Sequence, residues 1–292
     1  IAALLLSGVT SIEAQPGPTF SASYDFYPYS RIKDPDTSGG NTFLETSEIG
    51  VNTLDLSMSY PLVFAEGRTV LVNEMKYRNL VLDYRGFPPN DVNPDNLHAL
   101  EYNATLTHGL SDRWTLMAIA TPGIASDFED GIKTDDLTFQ AVAVFIRAYS
   151  ERLQIGYGVA WSNTFGQPFP LPVLALQWNN GSNLRVSSIL PTNIEAWYAP
   201  TKRLELGFQV GVDGNRYHGD PDLYGVDNPL LSYSVGTFGP AVNYHLSEKM
   251  TLGIRAGRTF TRRFEFFDGG KDVQDFSLEN SNFLKVQIEA GV

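Results

Sequence analysis

Large apolar and polar residues alternate one by one along much of this chain. Leu54, Leu56, Met58 and Tyr60 interleave with Thr53, Asp55, Ser57 and Ser59. Leu100, Tyr102, Ala104 and Leu106 interleave with Glu101, Asn103, Thr105 and Thr107. The same period returns in Leu153, Ile155, Tyr157, Val159 and Trp161, and again in Leu204, Leu206, Phe208, Val210 and Val212. A period of two puts successive side chains on opposite faces of an extended strand, so each segment carries one large apolar face and one small or polar face. No window shows a capped helical stripe. The prediction is therefore an all-β chain.

Strand length and turn length narrow the class. The alternating segments run about 9 to 15 residues, which suits a tilted membrane strand and exceeds the soluble mode of roughly 5–6. Four short turns share one template: Ser111-Asp-Arg-Trp114, Ser150-Glu-Arg-Leu153, Thr201-Lys-Arg-Leu204 and Ser247-Glu-Lys-Met250. A hydroxyl opens each turn, a charged pair follows, and an apolar residue restarts the alternation. Between them lie longer connections rich in Pro, Gly and Asp at 85–96, 126–135, 165–172, 218–229 and 267–277. Short turns at one end and long loops at the other predict an antiparallel transmembrane β-barrel, with the short turns periplasmic and the long loops extracellular.

Strands are expected near 20–27, 47–60, 68–84, 97–110, 114–125, 136–148, 153–164, 173–179, 184–190, 192–199, 203–217, 230–246, 249–266 and 278–290. That is about 14 strands, falling to 12 if two of the short pieces between 173 and 199 fold inward as a hairpin. Trp114, Trp161, Trp178, Trp197, Tyr60 and Tyr244 stand near predicted strand ends, where a membrane interface holds aromatic rings.

Composition agrees with this class and removes others. The 292 residues carry a net charge of −12 and no cysteine. The acidic balance excludes nucleic acid as a partner, and the missing cysteine excludes disulfide and thiolate-metal scaffolds. Residues 1–14, an apolar run ending at Ala14, read as the tail of a secretory signal peptide before a single barrel domain over 15–292. The last strand ends without a terminal aromatic, which reads as truncation.

If the large residues face lipid, the inward set includes Glu74, Lys76, Arg78, Glu101, Asn103, Glu205, Gln209, Asp213, His245 and Arg255. An Arg or Lys on the lipid face costs about 2–4 kcal/mol at mid-membrane, so these charges belong inside. They form either the lining of a solute passage or a salt-bridge network that fills a narrow barrel. For 114–125 and 136–148, where both faces are apolar or small, the pattern does not choose a side. Asp34, Asp36, Ser38 and Glu45 match calcium-loop spacing, which makes Ca²⁺ the one cofactor the sequence suggests, although Pro28 and Pro35 do not fit flanking helices. An acidic solvated loop explains the same residues. Arg262-Arg263 before Glu265 offers a clasp for a lipopolysaccharide phosphate, or else a strand-end Arg–Glu contact.

No nucleophile elbow, His-Glu-x-x-His or phosphate loop occurs. A hydrolase would need a Ser or Asp beside His98, His218 or His245. Five blocks, 67–73, 122–128, 171–174, 212–218 and 262–269, together resemble a family of bacterial outer-membrane β-barrel proteins described only as a domain of unknown function. The resemblance runs from about Ser47 to the C-terminus. It implies the bacterial outer membrane, with lipid, lipopolysaccharide and the barrel-assembly machinery as partners, and no particular substrate. The leading functional expectation is a passive channel or transporter for small solutes. A non-conducting structural or surface-interaction barrel is the alternative, and an outer-membrane hydrolase the third.

Overall fold

The computed structural model describes residues 17–35, 42–88, 94–129, 131–162, 169–219, 228–269 and 271–291. The segment read as a signal peptide lies outside them, as do Asp36 and Ser38. The strands, in chain order, are β1 (Thr19–Lys33), β2 (Glu48–Phe64), β3 (Thr69–Arg85), β4 (Asn96–Gly109) and β5 (Trp114–Ser126). They continue with β6 (Leu137–Ser150), β7 (Leu153–Ser162), β8 (Phe169–Asn179), β9 (Leu184–Leu190) and β10 (Asn193–Tyr198). The last are β11 (Leu204–His218), β12 (Pro229–Ser247), β13 (Met250–Asp268), β14 (Lys271–Leu278) and β15 (Asn282–Gly291). Each pairs antiparallel with its sequence neighbour from β1 to β13. β14 and β15 are two halves of one stave: both pair with β13 on one side and with β1 on the other. The ring is a closed antiparallel barrel of 14 strands. Closure leaves no sheet edge along that seam, the condition for a β-structure in lipid.

The uncertain stretch between 173 and 199 resolves as β8, β9 and β10, all in the wall, which settles the count at 14 rather than 12. Two expected loops are corrected. The connection expected at 267–277 is mostly strand, because β13 runs to Asp268 and β14 starts at Lys271. The loop expected at 165–172 gives up Phe169 onward to β8. β1 also extends to Lys33, past its expected end at 27, by means of a bulge between Tyr27 and Ser30.

The four template turns sit at one end, together with the start of β1 and the end of β15, where Thr19 pairs with Gly291. Their hydroxyls perform the same act in each. Ser111, Ser150, Thr201 and Ser247 each accept a hydrogen bond from the backbone N–H two residues on, at Arg113, Arg152, Arg203 and Lys249, over 3.2–3.4 Å. Such a bond satisfies a donor that the reversing chain removes from the ladder.

The outer surface is apolar over most strands. Phe20, Tyr24, Phe26, Met58, Tyr60, Phe145, Tyr157, Trp161, Phe208, Tyr244, Ile254 and Val286 all project there, 40–59% exposed. Trp197 is corrected: it lies inside, 3% exposed, rather than at an interface. Gly207 faces it across the β10–β11 pair, and a Cβ on Gly207 would stand 2.5 Å from the Trp197 ring.

The interior changes character with height. On β3 the inward residues read Glu74, Lys76 and Arg78 and then Leu80 and Leu82, so the polar face becomes apolar halfway up. The upper half holds a packed core of Tyr27, Ile49, Val51, Leu80, Leu97, Tyr217, Tyr233, Phe264 and Leu278. A second cluster, Met117, Val144, Ile146, Ala160, Val173 and Ala175, lies inside β5–β8 and resolves the side left open by the pattern there. Phe264 is 1% exposed, with Tyr233 and Phe276 rings 4.7 and 5.2 Å away. Phe264→Ala is expected to lower unfolding stability by about 3–5 kcal/mol, the range for deleting a fully packed ring. Denaturant titration of the barrel in detergent measures it.

Candidate functional site

All ten residues assigned inward by pattern lie on the inward face of their strands. They form two charged groups at different depths.

The lower group stands near the short turns. Arg185 grips Glu205 with two bonds of 2.5 and 2.9 Å, and Asn243 donates to the same carboxylate at 3.1 Å. His245 bonds Thr251 through Nδ1 at 2.9 Å, with Nε2 3.9 Å from Glu205. Arg185 also lies over the Trp197 ring, 5.5 Å from its centroid, while the Trp197 indole donates to Glu195 at 3.0 Å. Trp197, Arg185 and Glu195 carried no periodic signal of their own, since an inward ring and an outward ring look alike in sequence.

The upper group crosses the barrel at mid-height. Arg78 on β3 binds Asp55 on the adjacent β2 at 2.7 and 3.0 Å. The same guanidinium binds Asp213 on β11, across the interior, at 3.2 and 2.7 Å. Two paired forks on one cation use the planar geometry that distinguishes Arg from Lys. Lys76 stands 3.7 Å from Asp55, and Lys285 holds Asp25 at 2.8 Å. Asn215, one strand pitch above Asp213, donates to Glu101 on β4 at 3.3 Å. Asn103 donates to Glu74 at 3.0 Å and accepts from Thr121 at 2.7 Å. Gln209 and Arg255 complete the inward set on β11 and β13.

These bonds bring the upper half of β11 against β3, β4 and β5, where His218 pairs with Ser126. The interior is thereby divided. Above the Arg78 clamp, β1–β5 and β11–β14 enclose the packed core. Beside it, residues of β3–β9 and the β9–β10 turn line a cavity of about 250 Å³. Its lining starts at Lys76, Glu101 and Asn103, passes Thr121, Gln140, Val142 and Val173, and ends at Leu190, Pro191 and Thr192 in the β9–β10 turn. Asp213 remains 55% accessible although it lies within the barrel, so water reaches the clamp from the lumen.

Asp34 and Glu45 line one outer-rim cavity with Arg31, Lys33 and Glu279. Among the described residues no group of three or more His, Asp or Glu is placed to hold a metal. Of the two readings of Arg262-Arg263, the strand-end Arg–Glu contact is the one the structure shows, at Arg263 with Glu265. Arg262 points inward, fully buried, bonded to Ser30 at 2.7 Å and Ser281 at 3.2 Å. Arg263 pairs with Glu265 at 3.2 Å and Asp275 at 2.8 Å. His98 meets Tyr77 and Asn79, and His245 meets Thr251. Neither has a Ser or Asp partner among the described residues, so the hydrolase reading lacks its triad at both.

A closed, even-stranded antiparallel barrel with an apolar exterior, whose first strand starts and last strand ends beside its short turns, is an outer-membrane-type β-barrel protein. The chain belongs to the family described as a domain of unknown function (DUF6268), whose pattern matches residues 10–289. Similar solved structures include an outer-membrane channel from Pseudomonas putida F1, at 11% identity and TM-score 0.49, covering 97% of this chain and 98% of that one. The NanC porin is similar at 8% identity and TM-score 0.37, covering 94% and 100%. The Pseudomonas putida toluene transporter TodX is similar at 10% identity and TM-score 0.36, covering 99% and 93%. No curated protein matches the sequence.

Removing Arg78 would leave Asp213 without its bonded cation and Asp55 with Lys76 alone. Arg78→Ala is expected to destabilise the barrel by about 3–5 kcal/mol, the range for breaking a buried pair from one side. Asp213→Asn is expected to cost about 1 kcal/mol or less, because water reaches that carboxylate and Asp55 still holds the guanidinium. Denaturant unfolding of the two variants gives the order.

Proposed function

We propose that this protein is an outer-membrane barrel that passes small solutes between the lower lumen and the cavity lined by β3–β9. The observation that carries this reading is the continuity of that cavity's lining, from charged Lys76 and Glu101 at mid-height to the β9–β10 turn at its outer edge. Its inner end shares residues with the charged lumen, so a solute there meets opposed charges before it meets the apolar wall. Rings of opposed charge at such a point set selectivity. The Arg78 clamp and the packed upper core fill the other route, along the barrel axis.

The packed core also favours a second reading, a non-conducting barrel whose role lies in its loops. Planar-bilayer recording separates the two. The wild type is expected to show discrete conductance, and Glu101→Lys to shift its reversal potential toward anion selectivity. Absence of conductance and of liposome swelling, in barrels shown to be folded by heat-modifiable migration, would favour the second reading and overturn the first.

A further inference from the structure

The wall of this barrel is uneven. β12 and β13 have 19 residues each, whereas β9 has 7 and β10 has 6. At roughly 3.3 Å per residue and about 40° of tilt, six residues raise only about 15 Å of wall, against an apolar band about 25 Å tall. The β9–β10 turn lies at the end of the long loops, so the shortfall is on that side. Above it the neighbouring strands do not meet. β8 pairs with β9 from Leu174 to Asn179, which leaves Phe169–Val173 paired with β7 alone among the described residues. β10 follows β11 to Gly211, and beyond that point β11 stays paired with β12 and meets β5 at its end, His218 with Ser126. The outer parts of β5–β8 therefore form one side of a recess, with the β9–β10 turn as its sill.

The chemistry of the recess is mixed in a defined way. Ile119, Val142, Val173 and Ile189 give it an apolar wall. Thr121 and Gln140 supply polar groups one inward step along β5 and β6 from Ile119 and Val142. Gln140 accepts from Ser162 at 3.0 Å through its carbonyl oxygen, which leaves its amide nitrogen as a donor. Its charges, Lys76 and Glu101, stand at the inner end and are of opposite sign, so no single charge is favoured. An apolar cavity of about 150 Å³ holds a benzene ring, so the 250 Å³ here has room for a ring with substituents. Outside the sill, Leu174, Leu190 and Ile194 face outward, 39–48% exposed, and present an apolar surface to lipid.

We propose that this recess binds a small uncharged amphiphile, a ring-sized apolar body bearing a hydroxyl or amide group, and admits it from the surrounding lipid over the β9–β10 sill. This deepens the channel reading by naming what the cavity takes, and its test is separate from conductance. Trp161, whose ring projects outward from the strand that carries Ala160, borders the recess and serves as the nearby reporter. With the full barrel in lipid nanodiscs, 4-nitrobenzyl alcohol is expected to quench tryptophan emission saturably, and the 4-nitrobenzoate anion is not. Ala160→Phe, which fills the recess, should abolish the saturable component, and Gln140→Leu should weaken it about tenfold, the value of one lost hydrogen bond. Leu190→Phe, on the sill, should slow association and dissociation by the same factor, while Ser57→Phe, in the lower lumen, should change neither rate. Each variant is first shown to be folded by heat-modifiable migration. Saturable quenching that survives Ala160→Phe, or equal binding of the anion, overturns the site. Rates slowed by Ser57→Phe and not by Leu190→Phe overturn the lipid route. A barrel that binds the alcohol without conducting ions defeats the conductance reading alone, and one that conducts without binding defeats this proposal alone.

Discussion

The interior of this barrel is organised around one guanidinium. Arg78 sits inside a closed sheet, where leaving a charge unpaired is costly. Its partner on the next strand, Asp55, uses one edge of the fork; Asp213 uses the other and stands on β11, on the far side of the ring in chain order. To satisfy both, β11 leans across the lumen, and its outer half packs on β3–β5 in place of β10. The unequal strand lengths are consistent with this. β10 can be short because the strand it would have followed upward has left that side of the wall.

Two compartments follow from that crossing. On one side the inward faces of β1–β5 and β11–β14 come close enough for rings to touch, and the space fills with Tyr27, Tyr217, Tyr233 and Phe264. Apolar side chains pointing into a membrane barrel are stable only when packed this closely, since a hydrated lumen of that width would leave them wet. On the other side the inward faces of β5–β9 look onto a cavity rather than onto packed rings. Ala160, small and inward, borders a void whose charged inner end, Lys76 and Glu101, belongs to the same belt as the clamp.

Glycine and hydroxyl residues fix the rest with little redundancy. Gly207 is small because the Trp197 ring occupies its inward space, and that ring in turn supports Arg185 over Glu205. At the turn end, four hydroxyls capture backbone donors and hold the hairpins in register. Register matters doubly in a barrel of this kind: a slip of one residue would exchange the lipid-facing and lumen-facing sets on a whole strand.

Much of this was legible in the sequence. Alternation is a property of the strand itself, so Leu54–Tyr60 and Leu204–Val212 announced their strands and their outward faces without any tertiary information. The repeated Ser/Thr turns announced one end of the barrel, and the cost of a charge in lipid fixed the inward direction of Glu74, Lys76, Arg78, Glu101 and Asp213. What alternation cannot encode is the partner across the lumen. Arg78 and Asp213 are 135 residues apart, and nothing local distinguishes a pair that bridges the barrel from two charges lining an open pore. For the same reason the apolar inward run of Leu80 and Leu82, the burial of Trp197 and Arg262, and the side taken by β5 and β6 were decided only when the ring closed. The sequence by itself determined a lipid-facing barrel with short turns at one end, because those features depend on neighbouring residues. Tertiary structure decided that the interior is split into a filled half and a side recess, because that depends on which distant strands the Arg78 charge draws together.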